Sequence, residues 1–205
     1  VFHGPSGTGK AMAAGVVARE LGVELYRVDL ARLAARCAGD PGRVLDDLFA
    51  AAEDGRLALL FTEIDALVAR RSAAPSDDRL LDALAHRLAA FDGLAILSIR
   101  HAGALAPALD RFPAMRLGFP VPDEALRAQL WSAHISPQVP TAGRLDVTDL
   151  ARRFALSGGD IRRSALRAAF LAAQDGSPLT QSHLERAVLL EIRDRRTFPR
   201  GGSLD

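Results

Sequence analysis

Lysine is almost missing from this chain, because Lys10 is the only lysine among 26 basic residues and the rest are arginines. Cysteine is nearly absent too. Cys37 stands alone, which excludes an internal disulfide framework and fits a reducing compartment, with the cytoplasm expected. Aromatics are scarce, with one Trp, one Tyr and nine Phe, so alanine and leucine must fill the interior, a composition that favours helices. No charge of one sign dominates, since the formal net charge is +1. No global field then draws the chain to nucleic acid or to an anionic membrane, and neither is expected as a partner. No apolar run approaches the ~20 residues of a membrane span.

What is present alternates. Val1-Phe2-His3 reads as the tail of a strand that begins further upstream, so a fragment is expected. Ala11 to Leu21 predicts a helix with Val16, Val17 and Leu21 on one side, ended by Gly22. A strand follows at Glu24 to Val28, and Arg43 to Asp54 carries Val44, Leu45, Leu48, Phe49 and Ala52 at helical spacing. Leu57 to Phe61 is uniformly apolar, as a strand buried on both faces must be. Asp78 to Phe91 predicts another helix and Leu94 to Ile99 another buried strand. Strand-helix alternation with short loops predicts an α/β fold, a doubly wound parallel sheet with its ligand at the carboxyl ends of the strands.

The pattern changes at Phe119-Pro120-Val121-Pro122. Beyond it only helices are predicted, at Asp123 to His134, Val147 to Ala155, Gly159 to Gln174 and Gln181 to Arg195. The third has Ile161, Ala165, Leu166, Ala169, Phe170 and Ala173 as its apolar face. Residues 1–122 are therefore expected to form the α/β core, 123–197 a small helical domain and 198–205 a tail.

Gly4-Pro5-Ser6-Gly7-Thr8-Gly9-Lys10 fits the phosphate-binding loop up to its lysine, between a strand end and a helix start. The glycines let successive N–H groups turn inward around an anion, and the helix opening at Lys10, Ala11 and Met12 adds its positive end. Lys10 itself reaches the outer phosphates. A slim ammonium slides between phosphates where a planar guanidinium is too wide, which accounts for the single lysine. Gly4 to Met12 is thus the expected phosphate-contact segment.

With this loop, Leu59-Leu60-Phe61-Thr62-Glu63-Ile64-Asp65, Phe91-Asp92-Gly93-Leu94, Phe119-Pro120-Val121-Pro122-Asp123 and Ser157-Gly158-Gly159-Asp160-Ile161-Arg162, the chain resembles the AAA+ ATPases. Within them it is similar to the bacterial spastin-like single-module type encoded beside contractile injection systems. The resemblance implies a P-loop NTPase fold, ATP or ADP as ligand, and neighbouring AAA+ subunits in a homo- or hetero-oligomeric ring as partners.

It also exposes departures. Similar proteins carry Thr or Ser after the loop lysine to hold Mg²⁺, and here Ala11 stands there; the metal-holding Asp at the end of the apolar strand is Thr62. No metal ligand is therefore assigned, and Mg²⁺ is expected to be held weakly if at all. Glu63 matches the water-polarising base. Asp65 matches a second acidic position and is not expected to replace a ligand. The position of the sensor asparagine holds Arg100, which either pairs with Glu63 and silences it, or gives positive charge to the phosphates, or forms an ordinary ion pair. Paired arginine fingers are reduced to Arg111-Phe112. Arg162 matches the sensor arginine of the lid, against a plain solvated helix charge. Cys37-Ala38-Gly39 replaces the aromatic of a substrate-gripping loop.

Three functions follow. The first is an ATP-binding module whose hydrolysis is impaired and whose role is structural or regulatory. The second is a working ATPase that remodels proteins as a ring, with Glu63, Arg111 and Arg162 serving catalysis. The third is an interaction scaffold without nucleotide.

Overall fold

A strand with no polar side cannot face water, and Ala58–Thr62 is buried along its whole length. In the computed structural model, which describes residues 1–36, 41–70, 75–101 and 115–197, it lies at the heart of the first of two units. That unit comprises Val1–Pro5 and Gly9–Phe119; the second comprises Ser6–Thr8 and Pro120–Asp205.

The first unit runs β1 (Phe2–His3), α1 (Lys10–Glu20), β2 (Leu25–Asp29), α2 (Leu30–Arg36), α3 (Pro41–Gly55), β3 (Ala58–Thr62), α4 (Ile64–Arg70), α5 (Pro75–Ala90), β4 (Ala95–Ile99) and β5 (Leu117–Gly118). The strands form one sheet in the order β2-β3-β4-β1-β5, with every pairing parallel. Alternate side chains serve opposite faces. Leu59, Phe61, Leu97 and Ile99 join the core made with α2 to α5, whereas Leu60 and Ile96 join Phe2 and Ala14 on the face covered by α1. This is the parallel α/β fold expected from the alternation.

Local differences have simple causes. The two short helices α2 and α4 and the two-residue β5 are too brief to show a period, and none was expected from the sequence. In α1 the residues that face the sheet are Ala14 and Ala18, while Val16 and Leu21 are exposed, which corrects the expected apolar face. Small side chains let the helix approach closely, and the larger ones are left outside.

The second unit packs α6 (Glu124–His134), α7 (Val147–Arg153), α8 (Gly158–Gln174) and α9 (Gln181–Thr197) around a fully buried Trp131 with Leu150, Ile161 and Leu184. Asp123 caps α6 by accepting from Leu126 N–H, and Asp146 caps α7 through Asp149 N–H. Ser157 and Asp160 make a reciprocal capping box on α8. Here again the apolar face is corrected. Ile161, Ala165, Ala168 and Ala172 point inward, and Leu166 and Phe170 are exposed. Within this unit Gly159 N–H donates to the Gly7 carbonyl at 2.8 Å. No helix of the described residues is long and apolar enough to cross a membrane.

Candidate functional site

The loop leaves β1 at its carboxyl end, between β4 and β5, where ligands of open parallel sheets bind. Gly4 N–H donates to Ile99 O at 3.1 Å, so the loop is rooted on the neighbouring strand. Gly4 has φ 145°, and a Cβ there would press into the Phe119 backbone, so only glycine fits. Gly9 caps α1 with φ 101° and offers no side chain to the first turn, so no side chain of the capping residue competes with an anion there.

Lys10 opens α1 and is only 9% exposed. Its ammonium donates back to Gly4 O and to Pro5 O at 2.8 Å. Desolvation lowers its pKa below the ordinary value; Asp65 and Glu63 oppose that shift, and the positive charge of Arg100 adds to it. Lys10, Glu63, Asp65 and Arg100 therefore share one electrostatic neighbourhood within the first unit.

The parallel register sets the other three. Phe61 of β3 lies opposite Leu97 of β4, so the residues just past the two strand ends emerge side by side. Arg100 donates its guanidinium N–H to Glu63 Oε2 at 3.1 Å, and its backbone N–H to both oxygens of Asp65 at 3.0 Å. The side chains of the pair are 35% and 39% exposed, so the link contributes at most about 1 kcal/mol. Glu63 makes the entire turn from β3 into α4 at φ 60°, a left-handed conformation that a non-glycine residue adopts at a cost of about 1 kcal/mol or more. Thr62 is buried, and its hydroxyl donates to Val28 O at 3.3 Å, along the sheet. Ala11 offers only a methyl group. Among the described residues no three His, Cys, Asp or Glu side chains converge to hold a metal ion.

The remaining candidates fall elsewhere. Arg162 lies in the second unit, exposed near the start of α8. Desolvation, and then the charge of Arg162, push the His134 imidazole below its usual range. Arg111 and Cys37 lie outside the described residues. The sequence reading missed the cluster behind Arg162. Asp160 accepts from Arg163 and, at 2.8 Å, from Arg195, while Arg163 donates to buried Glu191 at 2.7 Å. Only the Asp160–Arg163 pair, three apart on one helix, had a local signal; the other partners are 28 and 35 residues distant.

The profile of the ATPase family associated with various cellular activities (AAA) matches residues 1–116. Curated relatives cover nearly the whole chain. An ATP-dependent zinc metalloprotease FtsH 3 of Sphaerobacter thermophilus is 34% identical across 92% of this chain and 41% of its own length. The 26S proteasome subunit RPT4 of Saccharomyces cerevisiae is 28% identical across 85% of this chain and 43% of its own. An ATP-dependent zinc metalloprotease FtsH 3 of Sorangium cellulosum is 30% identical across 91% and 33%. The chain thus spans 33–43% of the length of these relatives. With a five-stranded parallel sheet, a glycine loop ending in Lys10 and this match over its first 116 residues, the chain belongs to the AAA ATPase family.

Proposed function

We propose that this chain is an ATP- or ADP-binding module in which hydrolysis is impaired and nucleotide occupancy serves a structural or regulatory role within a ring of AAA+ subunits. The observation that carries it is the buried Thr62 hydroxyl, turned onto Val28 O at the end of β3 where a metal-holding carboxylate would be needed; in the chain without nucleotide, Arg100 also occupies the Glu63 carboxylate. The residues do not suit Mg²⁺. The Ala11 side chain has no oxygen, the Thr62 hydroxyl is turned onto Val28 O, and both Asp65 carboxylate oxygens accept from the Arg100 backbone N–H. Without a positioned Lewis acid the chemical step loses several kcal/mol, which corresponds to roughly a thousandfold or more in rate. Gly4 to Met12 would cradle the phosphates, and Arg162 and Arg111 stand as candidate contacts to the terminal phosphate from the lid and from a neighbouring subunit.

A phosphate-release assay with Lys10→Ala as the blank tests this. Turnover should lie near the blank and rise about a hundredfold or more when Ala11→Thr, Thr62→Asp and Arg100→Asn are combined. Turnover in the ordinary enzyme range, about 1 s⁻¹ or faster, overturns it. That outcome would favour the second reading, an active ATPase that remodels proteins, which the words "ATP-dependent" in the relatives' names support. Absence of any ATP binding would favour a scaffold instead.

A further inference from the structure

Two cations meet at the root of the phosphate loop, and they are held differently. Lys10 is turned inward onto loop carbonyls. Arg100 follows β4 directly, beside Gly4, whose N–H is bonded to Ile99 O. Its backbone is fixed by both Asp65 oxygens, yet its guanidinium makes one bond, to Glu63 Oε2 at 3.1 Å. The remaining guanidinium N–H groups take no partner among the described residues, and the side chain is one-third exposed. A guanidinium with a fixed root, unused donors and a weakly bound carboxylate partner is built to exchange that partner for a stronger one. Phosphate oxygens, with more charge and a matching geometry, are stronger.

We propose that Arg100 is the cation that neutralises the polyphosphate at this site, stored on Glu63 until the ligand arrives, so that the ligand taken is a nucleoside polyphosphate without a divalent metal. The proposal rests on the reading of the chain as a nucleotide-binding module. No bond is made or broken. The guanidinium leaves one carboxylate oxygen for the outer phosphate oxygens, beside the Lys10 ammonium. Repulsion between Arg100 and Lys10, which contributes to the lowered pKa of the lysine, is relieved when a polyanion lies between them.

Isothermal titration with ATP, in EDTA and in excess Mg²⁺, tests this, with inorganic tripolyphosphate as a second probe that lacks the base. The wild-type chain should bind ATP in the two media within about threefold. Arg100→Asn should lose about tenfold or more in EDTA toward both probes, the usual effect of removing a charged hydrogen-bond donor. Arg100→Lys should fall between, since it keeps the charge without the fork. Glu63→Gln should bind about threefold more tightly in EDTA, because the guanidinium no longer has a competing carboxylate. A merely structural ion pair predicts the opposite for that variant. ATP binding that needs Mg²⁺, or that is indifferent to Arg100→Asn or to Glu63→Gln, overturns the proposal and leaves nucleotide binding standing. No binding by any form in either medium overturns both.

Discussion

At the scale of single residues, Lys10 sets the chemistry. Its burial and the charge of Arg100 lower its pKa, so below that lowered value it is charged in both states and its desolvation counts fully against the fold. Between that value and the ordinary 10.5 the unfolded chain binds the proton that the folded chain has released, and stability rises with pH through that window. Bound phosphates raise the pKa again, so nucleotide binding should draw in a proton on the alkaline side. Calorimetric titration with ATP just below the ordinary 10.5, well above the phosphate ionisation near 6, in two buffers of different ionisation heat, should show this uptake, and Lys10→Ala should abolish it. The loop around Lys10 was legible because its conformation follows from glycine spacing alone. The contact of Arg100 with Glu63, 37 residues away, was one of several open possibilities, since it depends on how β3 and β4 pair.

Elements were legible where they were long. The apolar run of β3 and the heptad-like stripe of α5 announce themselves, whereas α2 and α4 span only seven residues each and offer barely two turns. Apolar faces were harder. In α1 and α8 alanines turn inward and Val16, Leu166 and Phe170 turn outward, an orientation that periodicity cannot choose when both stripes are apolar. The start of α8 shows what periodicity also hides. Asp160, buried, completes the capping box and ties α8 to the last helix through Arg195, while Arg163 reaches Glu191. Asp160→Ala should therefore destabilise the second unit by about 1–3 kcal/mol, because Arg195 and Arg163 lose this carboxylate and the Ser157 N–H loses its acceptor, although Arg163 keeps Glu191 and the Ser157 cap remains. Urea unfolding checks this. A change below about 0.5 kcal/mol would mean that the arginines find solvent without loss.

At the scale of the whole molecule, the sheet order places β1 between β4 and β5, so a loop that departs from one strand is bordered by residues following another. Ligand binding at that meeting point should stabilise the folded chain by mass action, about 2.7 kcal/mol at a hundredfold excess over Kd. For a chain of 205 residues this is a rise in Tm of roughly 5–10 °C, measurable by thermal unfolding in EDTA and absent in Lys10→Ala. One more consequence follows from the composition. Because Lys10 holds the only ε-amine in these 205 residues, an amine-selective acylating group carried on the tail of a nucleotide has a single side-chain amine to attack. The burial that depresses its basicity leaves more of it as the nucleophilic neutral amine. A shift in intact mass would then count competent cradles directly, one adduct per molecule, with no turnover required.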